Sequence, residues 1–220
     1  MASWFVHLRI ADILADDFDV DLTEFVIGNL APDSGEILKD SKYQPPSNVT
    51  HWKTDQENRL IQPDNFYKTY LTSCKKDSRS FYLGYYSHLI TDYFWHEELI
   101  KLYKENNWER HNNRHSIYSW NYNVDMIFLR QHPKMRAYNI LKNISDFKNT
   151  YLDYFSQDAI IKKIKDIYMV YNTDYTPTEE NEYLNSETID LFINKTVDII
   201  RRKIRAFNDD SSACGAQVMR

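Results

Sequence analysis

The sequence predicts an all-α fold, a single multi-helix domain, on three observations. Only 4 glycines occur in 220 residues, where average usage of about 7% would give about 15, so turn material for a many-stranded sheet is scarce. Along the last third of the chain apolar residues recur every three or four positions, the spacing of one helix face. A hydrophobic content of 42%, with 15% aromatic residues, is ample for one core and excludes disorder as the main state.

Each element follows from local pattern. Ser3 caps a helix expected to run to about Ala15, with Val6, Ile10, Ala11 and Leu14 on one side and His7 in its inward half. A second helix, about Leu22 to Leu30, ends at Ala31-Pro32-Asp33-Ser34-Gly35, because the residue before a proline is pushed out of the helical region. Asp33 is therefore expected in a loop. Glu36 to Gln62 holds Pro45 and Pro46, sustains no period and contains Val49-Thr50-His51-Trp52, which reads as a long functional loop. Asp64 or Asn65 opens a helix through about Cys74, and Ser78 opens a long one to about Glu105. Asn106 to Asn123 reads as a polar and aromatic connection, followed by a helix that begins over Val124 to Leu129 and stops before Pro133. Phe147, Tyr151 and Phe155 repeat every four residues and predict helix there, as do Ile160, Ile164, Ile167 and Tyr171. After a Ser186 cap the stripe continues through Ile189, Phe192, Ile193, Val197, Ile200 and Ile204.

The segment Asp209 to Arg220 is small and polar, and is expected to be a frayed tail. No internal repeat divides the chain, so one domain over 1–220 is expected, with metal-site residues mainly in 1–125 and supporting helices in 126–208.

Lysine and arginine number 27 against 32 acidic residues, a net charge of −5, with no block of positive charge. No stable nucleic-acid partner is expected. Cys74 and Cys214 lie far apart without a CxxC context, so neither a disulfide framework nor a thiolate metal site follows. The first residues carry Arg9, Asp12 and Asp16 and show no basic region followed by an unbroken apolar stretch. The longest apolar segment, Phe81 to Trp95, is interrupted by His88 and Asp92 and falls short of the ~20 residues a membrane span needs. The expectation is a soluble, cytoplasmic protein without a transmembrane segment.

The chemistry gathers on the long helix. His88, Asp92 and His96 are successive i, i+4 neighbours and share one face, while Leu89, Ile90, Phe94 and Trp95 fill the others. Burying an ionised aspartate alone costs several kcal/mol, whereas a divalent cation neutralises it and orients the flanking imidazoles. His7, Asp33 and His51 are partners of the same type. Together the six donors are four imidazoles and two carboxylates, a nitrogen and oxygen set that suits zinc and, less well, iron or manganese. Six donors exceed one tetrahedral site. A bridging aspartate would let two zincs sit about 3.5–4 Å apart, the arrangement that clamps both attacking and leaving oxygens in phosphoryl-ester hydrolysis.

The order His7, then Asp33 after Ala31-Pro32, then His51, then His88-x-x-x-Asp92, then His96 resembles the zinc-dependent phospholipase C family over roughly residues 1–100. The resemblance implies an all-helical domain, similar in fold to single-strand-specific zinc nucleases, around a buried cluster of two and up to three zincs. By that resemblance Asp33, His51 and His88 are ligands of one zinc, Asp92 is the carboxylate shared between zincs, and His7 and His96 serve the others. Two departures stand out. Secreted members use the amine and carbonyl of a mature N-terminal tryptophan, whereas Trp4 here is preceded by Met1-Ala2-Ser3. The family also supplies a downstream His-x-x-x-acid pair, where this chain has His111-Asn112-Asn113-Arg114-His115, with His115 in place of the acid. Asp125 and Glu97 are further candidate ligands, and His132, beside Pro133, is expected at the surface.

The implied function is hydrolysis of phosphate esters by metal-activated water, with Asp33 as base or water-orienting group. The implied substrate is a phospholipid or small phosphate ester, with transient membrane-surface contact. A non-catalytic helical protein with a structural or partner-docking metal cluster is the alternative the residues leave open.

Overall fold

A computed structural model of the chain describes residues 1–38, 42–53 and 60–217, excluding the side chains of 110–112 and 208–217. Helix α1, Trp4–Leu14, starts where the Ser3 hydroxyl accepts a hydrogen bond from the Val6 amide at 3.2 Å, which satisfies one of the orphan donors of a first turn. Helix α2, Leu22–Leu30, is capped by Asp21 in the same way and gives way at Pro32 to a short 3₁₀ turn, Ala31–Asp33. A two-stranded ribbon follows, β1 (Glu36–Ile37) antiparallel to β2 (Tyr43–Gln44), with Ile37 opposite Tyr43. Next come α3 (Ser47–Thr50) and α4 (Pro63–Phe66), the latter widening into a π turn over Tyr67–Leu71. The remaining helices are α5 (Lys76–Glu105), α6 (Arg110–Gln131), α7 (Arg136–Asn143), α8 (Ala159–Tyr171) and α9 (Ser186–Gln217). The all-α expectation holds, with this one small ribbon inside the segment expected as a loop.

Two expected elements differ. The supposed connection Asn106 to Asn123 is mostly helix, because α6 begins at Arg110. Its inward face at Ile117, Asn121, Val124 and Asp125 keeps helical spacing, but half of those buried residues are polar, so apolar periodicity stops short of them. The Phe147, Tyr151 and Phe155 repeat, by contrast, belongs to non-helical chain between α7 and α8. There the Asn149 side chain takes the place of a helix ladder. Its amide donates to the carbonyls of Leu152 and Phe155, at 2.6 and 3.1 Å, and its oxygen accepts from the Tyr151 and Leu152 amides, both at 3.2 Å. Phe147 and Tyr151 instead lie parallel to the Phe81 ring, with centroids 6.3 and 4.1 Å away. In the segment expected as a tail, the backbone is helical to Gln217, and residues 218–220 lie outside the described residues.

What positions the site is the crossing of α2 over α5. A Cβ added at Gly84 would lie 2.1 Å from the Phe25 carbonyl oxygen, and one at Gly28 would lie 2.0 Å from that of Phe81. Each helix thus needs the other's glycine for its backbone to pass. The fully buried Phe5, Leu8 and Leu14 of α1 belong to the same core as Phe25 of α2 and Phe81 of α5, so three helices that carry polar groups inward are held by apolar neighbours. No helix of the described residues is long and apolar enough to cross a membrane.

Candidate metal centre

Five predicted donors converge from four places in the chain. Helix α5 presents His88 and Asp92, α1 presents His7, the 3₁₀ turn presents Asp33, and His51 follows the last residue of α3. His7 and His88 are wholly buried, and His51 and Asp92 are 2% exposed. His7 Nε2 lies 3.3 Å from Asp92 Oδ1, and His51 Nε2 lies 3.3 Å from Asp33 Oδ1 and 3.5 Å from Asp92 Oδ2. His88 Nε2 is 3.4 Å from His51 Nε2 and 3.6 Å from Asp92 Oδ2. Tetrahedral zinc with bonds of about 2.0–2.1 Å would hold neighbouring donors about 3.3–3.4 Å apart. The separations therefore match the edges of a coordination shell. Among the described residues two groups meet a metal-holding geometry, His7 with His88 and Asp92, and Asp33 with His51 and His88, each with its ligand atoms within 4.8 Å of one another.

The surroundings aim these atoms inward. His88 Nδ1 donates to the Asn29 carbonyl at 2.7 Å, which fixes the tautomer and leaves Nε2 as a lone pair facing the cluster. That carbonyl is in the last turn of α2, where the final carbonyls have no intrahelical partner, and Pro32 ends the helix there. His51 Nδ1 pairs with Thr50 Oγ1 at 2.9 Å. The Trp4 indole donates to Asp33 Oδ2 at 2.8 Å, and the Ala2 amide to Asp92 Oδ1 at 2.8 Å. Apart from the 3.3 Å approach of Nε2 to Asp92, neither ring nitrogen of His7 has a hydrogen-bond partner among the described residues, although its ring stacks on that of His88 with centroids 3.9 Å apart. A buried polar group left in this state is costly, and a cation between His7, His88 and Asp92 would remove the cost. The residues present fit a zinc site.

Protonation agrees. Burial, then the neighbouring His88, lowers the His7 pKa to about 4 against the pull of Asp92, so its ring is neutral at neutral pH. For Asp33, burial favours the neutral acid, but the hydrogen bond to His51 holds the carboxyl below its usual range. Asp92 is likewise opposed by burial, yet the Met1 amino group and the hydrogen bond to His51 hold it well below the usual carboxylate range. Burial also resists charge on His51, but hydrogen bonds to Asp33 and Asp92 raise it to about 9. Two ionised carboxylates thus keep a proton on His51, and a metal cation would replace that proton.

None of the other predicted residues whose side chains are described enters either donor group. His96 is half-buried on α5. One turn beyond Asp92, it belongs to neither donor group among the described residues but lines the same cavity as Asp33 and His51. Glu97 and His115 are exposed. Asp125 is buried and occupied elsewhere, accepting hydrogen bonds from Ser3 Oγ at 3.0 Å and Tyr171 OH at 2.8 Å. The side chain of His111 lies outside the described residues. His132 is exposed, as expected. Sequence reading did not single out Ala2, Trp4 or Asn29 as parts of the site. Of these only Asn29 had a visible signal, its place just before the proline that ends α2.

The cluster opens on a cavity of about 460 Å³ whose walls include Asp33, Thr50, His51, His96, Trp4 and Tyr118. Two of the five donors, Asp33 and His51, thus reach a cavity, the position a reacting centre needs.

Comparison with curated proteins and with solved structures returns no match. A family model described as Zinc dependent phospholipase C matches residues 6–207. That span takes in all five converging donors and nearly the whole helical frame, and the chain belongs to the zinc dependent phospholipase C family.

Proposed function

We propose that this protein is a zinc-dependent phosphoric ester hydrolase, a phospholipase C-like phosphodiesterase that uses metal-activated water. The observation that carries the reading is that Asp33 and His51 belong both to a donor group and to the wall of the 460 Å³ cavity. A closed structural site has no need of such access. His7, Asp33, His51, His88 and Asp92 would hold two zincs, with His88 common to both donor groups. Bound there, zinc supplies Lewis-acid stabilisation of phosphoryl charge and lowers the pKa of coordinated water to about 7.

The chain's own residues supply position and proton handling. The Trp4 indole holds Asp33 Oδ2, so the carboxylate is fixed with Oδ1 toward His51. Held ionised, with Oδ2 bonded by Trp4 and Oδ1 toward His51, Asp33 would serve to orient the attacking water more than as a strong base. His88 is locked by Asn29 and contributes ligation alone.

Elemental analysis by plasma mass spectrometry tests the metal, and hydrolysis of phosphatidylcholine and chromogenic phosphodiesters tests the activity. Two zincs per chain are expected, lost in a His88→Ala, Asp92→Ala double variant whose helicity is checked by circular dichroism. Asp33→Asn with its zinc retained should lose roughly 100-fold in rate. Zinc retained with no ester hydrolysed, or full activity in Asp33→Asn, would overturn the reading.

A further inference from the structure

The cavity has a sign of its own. The chain carries a net charge of −5, yet the cavity is lined by Lys53, Arg114 and Lys163, and among its described lining residues Asp33 is the one carboxylate. Asp33 is already engaged, by His51 at one oxygen and Trp4 at the other. Two of the cations stand close to the candidate metal end. Lys163 Nζ lies 5.5 Å from the centre of the Trp4 ring. Lys53 Nζ donates to Ser47 Oγ at 3.0 Å, and that hydroxyl is 3.5 Å from His51 Nδ1. Arg114 belongs to the outer wall, its guanidinium over the Tyr118 ring at 5.6 Å and its Nη2 at 3.4 Å from the Tyr118 hydroxyl.

Aromatic faces in a phosphate-ester pocket would ordinarily favour a quaternary ammonium head group. Of the aromatic rings lining this cavity, which include Tyr43 and Tyr103, those of Trp4 and Tyr118 are met by the protein's own Lys163 and Arg114, so a second cation would be repelled at these two. Positive walls around a concave site instead concentrate anions, and one reacting phosphate does not require Lys163 and Arg114 in addition to a metal centre.

Resting on the hydrolase reading of the same cavity, we infer that the preferred substrate is a phosphate ester bearing a second negative charge on its head group, with Lys163 and Arg114 as the specificity-determining residues. The shared chemistry is a doubly anionic ester, whether in a lipid head group or in a free small molecule.

Isothermal calorimetry of the zinc-loaded protein with phosphocholine, inositol monophosphate and inositol bisphosphate tests this directly, since these are released head groups and contain no diester to cleave. Inositol bisphosphate should bind at least about ten-fold more tightly than phosphocholine, equivalent to about 1.4 kcal/mol. Arg114→Gln and Lys163→Gln should each remove most of that preference and its salt dependence, while Lys134→Gln, an exposed lysine outside the cavity, should keep it. Cosedimentation with phosphatidylcholine vesicles carrying a phosphatidylinositol monophosphate, displaced by soluble inositol bisphosphate, would identify a lipid source. Binding of the soluble ester without vesicle binding would identify a free one, and either result supports the inference. Equal or tighter binding of phosphocholine, or a preference untouched in both cavity variants, overturns it. The two readings fail separately: charge preference without hydrolysis removes the enzyme alone, and hydrolysis without charge preference removes this inference alone.

Discussion

The α2–α5 crossing predicts that Gly84→Ala, a change that ordinarily strengthens a helix, will weaken this protein and its metal site together. Alanine in place of glycine within a helix is favourable by up to about 1 kcal/mol. At this position, however, the new Cβ would stand 2.1 Å from the Phe25 carbonyl oxygen and 2.8 Å from the Asn29 amide nitrogen, both backbone atoms. Restoring an ordinary contact of 3.4 Å requires α2 to retreat by 3.4 − 2.1 = 1.3 Å. Retreat along the line from His88 Nδ1 to the Asn29 carbonyl would stretch that hydrogen bond from 2.7 Å to 2.7 + 1.3 = 4.0 Å, beyond reach. Overpacking of this kind costs about 1–3 kcal/mol and the lost hydrogen bond about 1 kcal/mol. After subtraction of the propensity gain, about 2 kcal/mol of destabilisation remains, which for a chain of this size lowers Tm by roughly 4–8 °C. Scanning calorimetry of metal-stripped protein reads the stability change. Competition with a chromogenic chelator reads zinc affinity, which should fall because His88 has lost the group that fixes its ring. A Tm equal to or above that of the parent, with zinc affinity intact, would refute the argument that this glycine sets the distance between the helices.

Two further outcomes follow from polar contacts. Burial raises the Asp125 pKa to about 7 against hydrogen bonds from Ser3 and Tyr171, whereas the unperturbed value is 3.8. Between those values the folded state holds the extra proton, so stability falls as pH rises through that window, by on the order of 4 kcal/mol at most. Asp125→Asn does not titrate. Urea midpoints of parent and variant should therefore diverge from acid to neutral pH, the variant gaining relative to the parent, and parallel curves would count against a buried protonated carboxyl. Trp4→Phe keeps an aromatic ring but removes the donor to Asp33 Oδ2. Zinc affinity should drop about 10-fold with thermal stability little changed, and unchanged affinity would show that Asp33 needs no such support.

Much of the fold was legible because apolar periodicity records which side of a helix is withdrawn from water. Helices α1, α8 and α9 announce themselves by that stripe, Pro32 marks the end of α2, and a serine cap announces the long α5. The part of α6 before Val124 does not, because its buried residues Asn121 and Asn123 are polar, and the hydrogen bond that Asn123 accepts from Tyr175 is a reason for burial that hydropathy does not record. The opposite error occurs at Phe147 and Tyr151, where a four-residue aromatic spacing arises from both rings lying against Phe81 while Asn149 satisfies the backbone. Residue spacing is evidence of burial first, and of helix only where the backbone has no side chain to bond with instead.

The donor set was legible as chemistry but not as a grouping. His88 and Asp92 are one turn apart and both enter a donor group, whereas His96, one turn beyond Asp92, enters neither among the described residues and lines the cavity with Asp33 and His51. Which of the remaining histidines and acids arrive at Asp92 depends on how α1, α2 and α5 are held, and that is decided at Gly28 and Gly84. The scarcity of glycine that predicted helices also bears on these two. In a chain with 4 glycines, a glycine kept inside each of two apolar helices forgoes about 1 kcal/mol of helix propensity, a cost offset only where backbone must approach backbone. Here that approach carries the Asn29 carbonyl to His88 Nδ1, so the helix crossing and the orientation of a metal ligand are a single structural requirement.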